Sequence, residues 1–357
     1  MDFTLEKVVW ELTARCNMNC FHCGSACGEK SLPGELNTKE ALVLADDIAV
    51  LKPNYVGFSG GEPLLRNDWH LIAQRLSGYG IDVHIITNGS LLNESHVKHI
   101  LDAGIKSVSV SVDGTRKVHE RIRRRDGCYD AVKRAFSMLK EAGIPYAAIT
   151  TAIKENMEDL PKLRDELIQM GVSVWRIQPA LLVGYMTRHP GSLISPQDIQ
   201  WIIDFSFEEN KKGSIDICLP DNVGYYTRKE VLSRQLYNKS AELPVWQGCS
   251  AGIRIAGILH NGDVVGCTSI RNADFIEGNV RERKFSDIWT CKDAFAWRRQ
   301  MRADLFTGKC RECRYIDLCL GGCTNTRLTS MGNIYADNKY CVYGLHSNAV
   351  TAFEKNS

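Results

Sequence analysis

The stretch that most constrains the fold of this chain is Cys16-Asn-Met-Asn-Cys20-Phe-His-Cys23, which follows an apolar run, Val8-Val9-Trp10-Glu11-Leu12. That run reads as a first β-strand. Three cysteines spaced x3 then x2 on one loop can turn three thiolates onto three corners of a cubane iron–sulfur cluster. Full thiolate ligation would take a fourth cysteine, so one iron is left open to another ligand. On spacing alone, a zinc knuckle or three unrelated cysteines stay open as alternatives.

Whatever the loop holds, strand and helix signals alternate from residue 8 to about 180, the pattern of a mostly parallel α/β sheet. Strands are expected at 8–12, 55–59, 83–87, 107–112, 146–151 and 174–178. Helices are expected at 38–51, 69–78, 95–103, 130–142 and 156–170, with Thr38 as an N-cap. Gly78, Gly104, Gly143 and Gly171 fall where helices should stop. Six βα units predict an α/β fold, a partial (β/α)6 TIM-like barrel open on one side. Beyond it, 184–195 reads as a loop, 196–211 and 225–237 as helices, and 214–219 as a short strand. The expected domains are 1–212, a bridging region 213–248, and a cysteine-rich domain 249–357.

Composition sets the compartment and the class of partner. Net charge is +2, and Arg121–Arg125 is the only basic cluster, so a dedicated nucleic-acid binder is not expected. No apolar stretch has the length of a membrane span and no signal peptide opens the chain, so the expected location is the cytoplasm. Fourteen cysteines in grouped spacings suit metal ligation in a reducing compartment better than disulfides.

Cys16-x3-Cys20-x2-Cys23, followed by Gly60-Gly61-Glu62-Pro63, Thr87-Asn88-Gly89 and Ser111-Val112-Asp113-Gly114, resembles the radical S-adenosylmethionine (SAM) enzymes. The resemblance implies that SAM chelates the open iron, and that an electron from the cluster cleaves it to methionine and a 5′-deoxyadenosyl radical. It also implies a SAM pocket. Gly60, Gly61 and Glu62 would meet the methionine amino group, with the two glycines permitting close approach. Ser111 and Asp113 would close strand four. Arg123, in His119-Glu120-Arg121-Ile122-Arg123, matches the family's His-Asp-x-x-Arg pattern with Glu in place of Asp. Its guanidinium fork suits the methionine carboxylate. Ala180 would lie by the adenine, and Thr87 and Asn88 at the ribose-facing rim. Arg121, Arg124 and Arg125 read as a solvated face.

Cys249, Cys267, Cys310, Cys313, Cys319, Cys323 and Cys341 resemble, in order and spacing, the SPASM extension of radical SAM enzymes. Asn261-Gly262 reads as the turn of a hairpin between the first two. By the family pattern, Cys310, Cys313, Cys319 and Cys341 hold a distal auxiliary 4Fe–4S cluster. Cys249, Cys267 and Cys323 hold a proximal one. With the catalytic set of Cys16, Cys20 and Cys23, the implied cofactors are three 4Fe–4S clusters and SAM. Where some relatives supply a fourth proximal ligand this chain has Ile255, and where sulfatase-maturing relatives carry Asp it has Thr268. Cys128 and Cys291 read as small buried hydrophobes, and Cys27 is left outside the catalytic set.

The function implied is hydrogen abstraction from a substrate, first of all a ribosomally made peptide, giving an oxidative crosslink or dehydrogenation. A separate recognition protein and an electron donor such as flavodoxin or ferredoxin are the expected partners. The alternatives are epimerisation of a peptide residue, with Cys218 returning hydrogen at the barrel mouth, or oxidation or epimerisation of a sugar or aminocyclitol. Sulfatase maturation ranks below these.

Overall fold

The computed structural model describes residues 3–29, 32–243 and 246–345. Ten strands follow in chain order: β1 Lys7–Thr13, β2 Tyr55–Gly60, β3 Asp82–Thr87, β4 Ser107–Ser111, β5 Tyr146–Ala152, β6 Val174–Pro179, β7 Asp216–Cys218, β8 Ile255–Ile258, β9 Asp263–Val265 and β10 Ile276–Asn279. The main helices between them are α1 Thr38–Val50, α2 Trp69–Gly78, α3 Glu94–Asp102, α4 Arg116–Arg123, α5 Cys128–Glu141, α6 Leu160–Gln169, α7 Pro196–Lys212 and α8 Arg228–Asn238. The fold is the expected α/β partial barrel. Among the described residues no helix is long and apolar enough to cross a membrane.

Contacts divide the chain into two compact units. The first comprises Met1–Val112, His119–Ala147 and Ser250–Gln300. Here β1, β2, β3 and β4 pair in parallel, in register Val8↔Val56, Val56↔Val83 and Ile85↔Val108. Alternate side chains on these strands (Val56 and Phe58, Val83 and Ile85, Val108 and Val110) are buried. That period of two is the one a strand imposes. The crossover helices seal one face with residues at helical spacing: Ala41, Leu44, Ala45 and Ile48 on α1, and Trp69, Ile72, Ala73 and Leu76 on α2. Each large apolar side chain so buried contributes about 1.5–3 kcal/mol.

The cap of α1 is Asn37 and not Thr38. The Asn37 side chain accepts from the Glu40 N–H, and the Glu40 carboxylate accepts from the Asn37 N–H. The expected hairpin also forms, β8 against β9 through a Leu259–Gly262 turn closed by the Leu259 N–H donating to Asp263 O. Its strand β8 also pairs in parallel with the free edge of β1, Lys7↔Ile255 to Trp10↔Ile258. No periodicity in the sequence announces that pairing.

The second unit comprises Asp113–Val118, Ala148–Cys249 and Met301–Ser357. Strands β5, β6 and β7 pair in parallel. The helix expected over 156–170 is split. Residues Lys154–Asp159 form a 3-10 turn and α6 begins at Leu160, with a proline in its first turn. The cause is Asn156, whose amide donates to Asp113 O and Thr151 O while its carbonyl accepts from the Ile153 N–H. A side chain that takes up backbone groups in this way competes with the helix ladder.

Candidate active site

The cysteine loop is held from several directions within the first unit. At its root, the Gly61 N–H donates to Thr13 O and the Glu62 N–H to Arg15 O, each at 2.8 Å. The Cys16 N–H closes the loop onto Gly28 O at 2.7 Å. A Cβ at Gly61 would stand 2.0 Å from Arg15 O. The Gly-Gly pair is therefore required by the loop's own backbone, where ligand approach was the expectation.

Glu62 is fully buried, and its carboxylate accepts from the Leu64 N–H, the Thr87 hydroxyl and the Asn88 N–H. Burial pushes its carboxyl above the usual range while the hydrogen bonds from Asn88, Thr87 and Leu64 oppose that shift. Asn88 donates in turn to Asn17 Oδ1 at 2.8 Å, and Asn17 donates to Ser90 Oγ at 2.8 Å. Thr87 and Asn88 thus turn their side chains to Glu62 and to the cysteine loop. Asn17, between the first two cysteines, had no assigned part in the sequence reading.

The thiols of Cys16, Cys20 and Cys23 gather in one cluster with Met18 and Cys128. Burial pushes the Cys16 thiol up to about 12 and that of Cys128 up to about 11. Ligation of iron by Cys16 would therefore release a proton. Cys27 hydrogen-bonds to Cys23, which lowers Cys23 and raises Cys27. Cys128 is buried as expected, but beside this loop. Cys291 is only half-buried, with Arg283 hydrogen-bonded to its thiol and lowering it.

Arg123 ends α4 with a guanidinium nitrogen 3.8 Å from the Cys20 sulfur, and its charge acts on Glu62. It thus lies beside the cysteine loop. Its neighbours Arg121, Arg124 and Arg125 are exposed, the solvated face expected, yet two of them also touch the cysteine loop. Arg125 donates to Asn17 O, and Arg124 lies over the Phe21 ring at 5.7 Å. The α4 segment therefore clamps the cysteine loop. Ser111 is half-buried at the end of β4.

In the second unit, the Asp113 carboxylate accepts from the Thr151 N–H at 3.0 Å, and the Ala180 N–H donates to Ala152 O at 3.0 Å. Both sit at C-terminal strand ends, where parallel barrels place their sites. Cys218 meets the Tyr237 side chain, on α8, through a hydrogen bond.

Cys310, Cys313, Cys319 and Cys341 line one cavity, walled by Tyr225, Tyr226 and Tyr315. Tyr226 and Tyr315 stack at 4.2 Å. Burial raises Cys310 to about 11 and also raises Cys319 and Cys341. Four thiols lining one cavity match in number the cysteines that fully ligate an iron–sulfur cluster. The residues present fit the group. Cys323 donates its N–H to the Tyr225 hydroxyl at 2.8 Å. In the first unit, Ile255 opens β8, and the Thr268 methyl packs on Gly257.

Residues 10–167 match the Radical SAM superfamily, and residues 249–314 match the SPASM iron–sulfur cluster-binding domain. Two enzymes of Methanosarcina barkeri are similar over nearly the whole chain. The AdoMet-dependent heme synthase is 29% identical, over 94% of this chain and 96% of its own length. The Fe-coproporphyrin III synthase is 30% identical, over 96% and 89%. Mycofactocin maturase of Mycobacterium tuberculosis is 26% identical, over 98% and 85%. Streptococcus suis SuiB bound to S-adenosylmethionine shares the fold, with a TM-score of 0.74 at 15% identity, covering 95% of this chain and 77% of SuiB. The chain belongs to the radical SAM superfamily and carries a C-terminal SPASM iron–sulfur domain.

Proposed function

We propose that Cys16, Cys20 and Cys23 hold the catalytic 4Fe–4S cluster, with Arg123 binding the methionine carboxylate of SAM. A cluster held there would supply the electron for reductive cleavage of SAM, and with it the chemistry of hydrogen abstraction from a substrate. The observation that carries this reading is the guanidinium of Arg123 beside Cys20, on a loop fixed by Glu62, Asn88 and Arg125. The glycine-rich turn and the Asn17–Asn88 pair fix where the thiols stand, and α4 covers the loop. Cys310, Cys313, Cys319 and Cys341 hold the distal auxiliary cluster in the tyrosine-walled cavity, and Cys249, Cys267 and Cys323 the proximal one. That makes three clusters, about twelve irons per chain. A flavodoxin or ferredoxin is the expected reductant.

For the substrate, the heme-synthase and coproporphyrin-synthase relatives, at 29% and 30% identity, favour an iron tetrapyrrole. The peptide expected from the sequence becomes the second reading, favoured by the mycofactocin maturase at 26%. The test incubates reconstituted, reduced enzyme and SAM with iron-coproporphyrin III or with a candidate precursor peptide. 5′-Deoxyadenosine formed in step with a mass change in the porphyrin supports the first reading. A mass change in the peptide alone replaces it with the second.

A further inference from the structure

One cation of the second unit is buried without a carboxylate partner among the described residues. Arg327, on the helix Thr324–Met331, is 0% exposed. Its Nη2 donates to Leu320 O at 3.1 Å and Thr324 Oγ1 at 3.3 Å, and its guanidinium lies 4.9 Å from the Phe306 ring centre. Gly321 packs so closely that a Cβ there would sit 2.9 Å from Arg327 Cζ. Yet Nε and Nη1 have no hydrogen-bond partner among the described residues.

A guanidinium buried with two nitrogens unmatched costs several kcal/mol unless an opposite charge offsets it. The groups whose charge it feels are Cys249, Cys323 and Cys310, then Tyr225. Cys249 and Cys323 fall in the proximal ligand set and Cys310 in the distal one. Protonated, they offer no countercharge. As ligands of iron they are thiolates, and each cluster they hold is anionic.

We propose that Arg327 is a positioning residue shared by the two auxiliary clusters, whose charge and unmatched N–H groups favour the more negative, reduced form of both. Positive charge and hydrogen bonds near cluster sulfur are established determinants of cluster potential. The assignment rests on the two-auxiliary-cluster reading above.

The test uses the full chain with Cys16, Cys20 and Cys23 replaced by Ala, so that only auxiliary iron reports. With Arg327 intact, about eight irons should remain. About four there overturns the two-cluster reading, and this assignment with it, before any substitution at position 327 is read. In EPR-monitored redox titrations, Arg327→Met should shift both auxiliary signals to lower potential. The shift should reach at least tenfold in the oxidised-to-reduced ratio at fixed potential, which is 59 mV for a one-electron couple. Arg327→Lys keeps the charge, loses the fork, and should recover part of the shift. Unchanged potentials in an iron-replete Arg327→Met protein overturn the proposal. If Arg327→Met loses iron, Arg327→Lys decides: retained iron at an intermediate potential supports the proposal, and equal loss overturns it.

Discussion

At Gly61 the chain tolerates no side chain. A Cβ there would meet the Arg15 carbonyl oxygen at 2.0 Å and the Cys16 nitrogen at 3.1 Å, both backbone atoms that no rotamer change can move away. Gly61→Ala must therefore displace the root of the cysteine loop. We expect that variant to lose about four irons per chain, together with 5′-deoxyadenosine formation, while its C-terminal iron stays. Iron analysis with and without the C-terminal cysteines checks this. Arg123→Lys is a milder change, because it keeps the charge and loses the paired donors. Loss of one charge-assisted hydrogen bond, about 1.5–3 kcal/mol, lowers SAM affinity roughly 10- to 100-fold. Equilibrium dialysis on protein of normal iron content measures it, and unchanged binding would remove Arg123 from the pocket. The residue types at these places were legible from spacing and resemblance. Their physical reasons were not, because Gly61 answers to Arg15, which lies far from it in sequence. Arg327 was missed altogether, since burial of a cation leaves no mark on the string of letters.

Strands β1 to β6 were legible because β-branched and aromatic residues alternate along them. Crossover helices α1 and α2 were legible because their apolar residues recur at i, i+3, i+4 and i+7. One element missed was α4, Arg-Lys-Val-His-Glu-Arg-Ile-Arg, which buries only His119 and Ile122. Two buried positions in eight residues leave no stripe to detect, so the segment read as a basic cluster although it delivers Arg123. The split before α6 was missed for another reason: Asn156 looks like an ordinary polar residue, yet it satisfies Asp113 O, Thr151 O and the Ile153 N–H. Asn156→Ala orphans those three groups in a fully buried place. At about 1–3 kcal/mol for each unsatisfied buried group, we expect a loss of about 3 kcal/mol or more, read as a lower midpoint in denaturant titration. A change below about 0.5 kcal/mol would mean that water replaces the amide at no cost.

At the scale of the whole molecule, chain order and compact units do not coincide. Residues Ser250–Gln300 belong with the first unit and Met301–Ser357 with the second. Sequence reasoning works along the chain and could not divide the cysteine-rich stretch there, since that division depends on pairings such as β8 with β1. The fate of the substrate radical is also a property of the whole enzyme. It can lose an electron to an auxiliary cluster, or it can regain hydrogen from a thiol. Cys218 was the expected donor for the second route. Its sulfur accepts from the Tyr237 hydroxyl on α8, a contact that ties the thiol to that helix. The four thiols that line the tyrosine-walled cavity, proposed above to hold the distal cluster, would supply what the first route needs, a site for an electron acceptor. We therefore expect an oxidised product. Turnover in heavy water should leave no solvent deuterium at the reacting carbon, and Cys218→Ala should form product at a rate within about twofold of the parent, roughly 0.4 kcal/mol in the barrier. One deuterium gained at carbon, and lost in Cys218→Ala, would reverse that expectation and assign hydrogen return to this thiol.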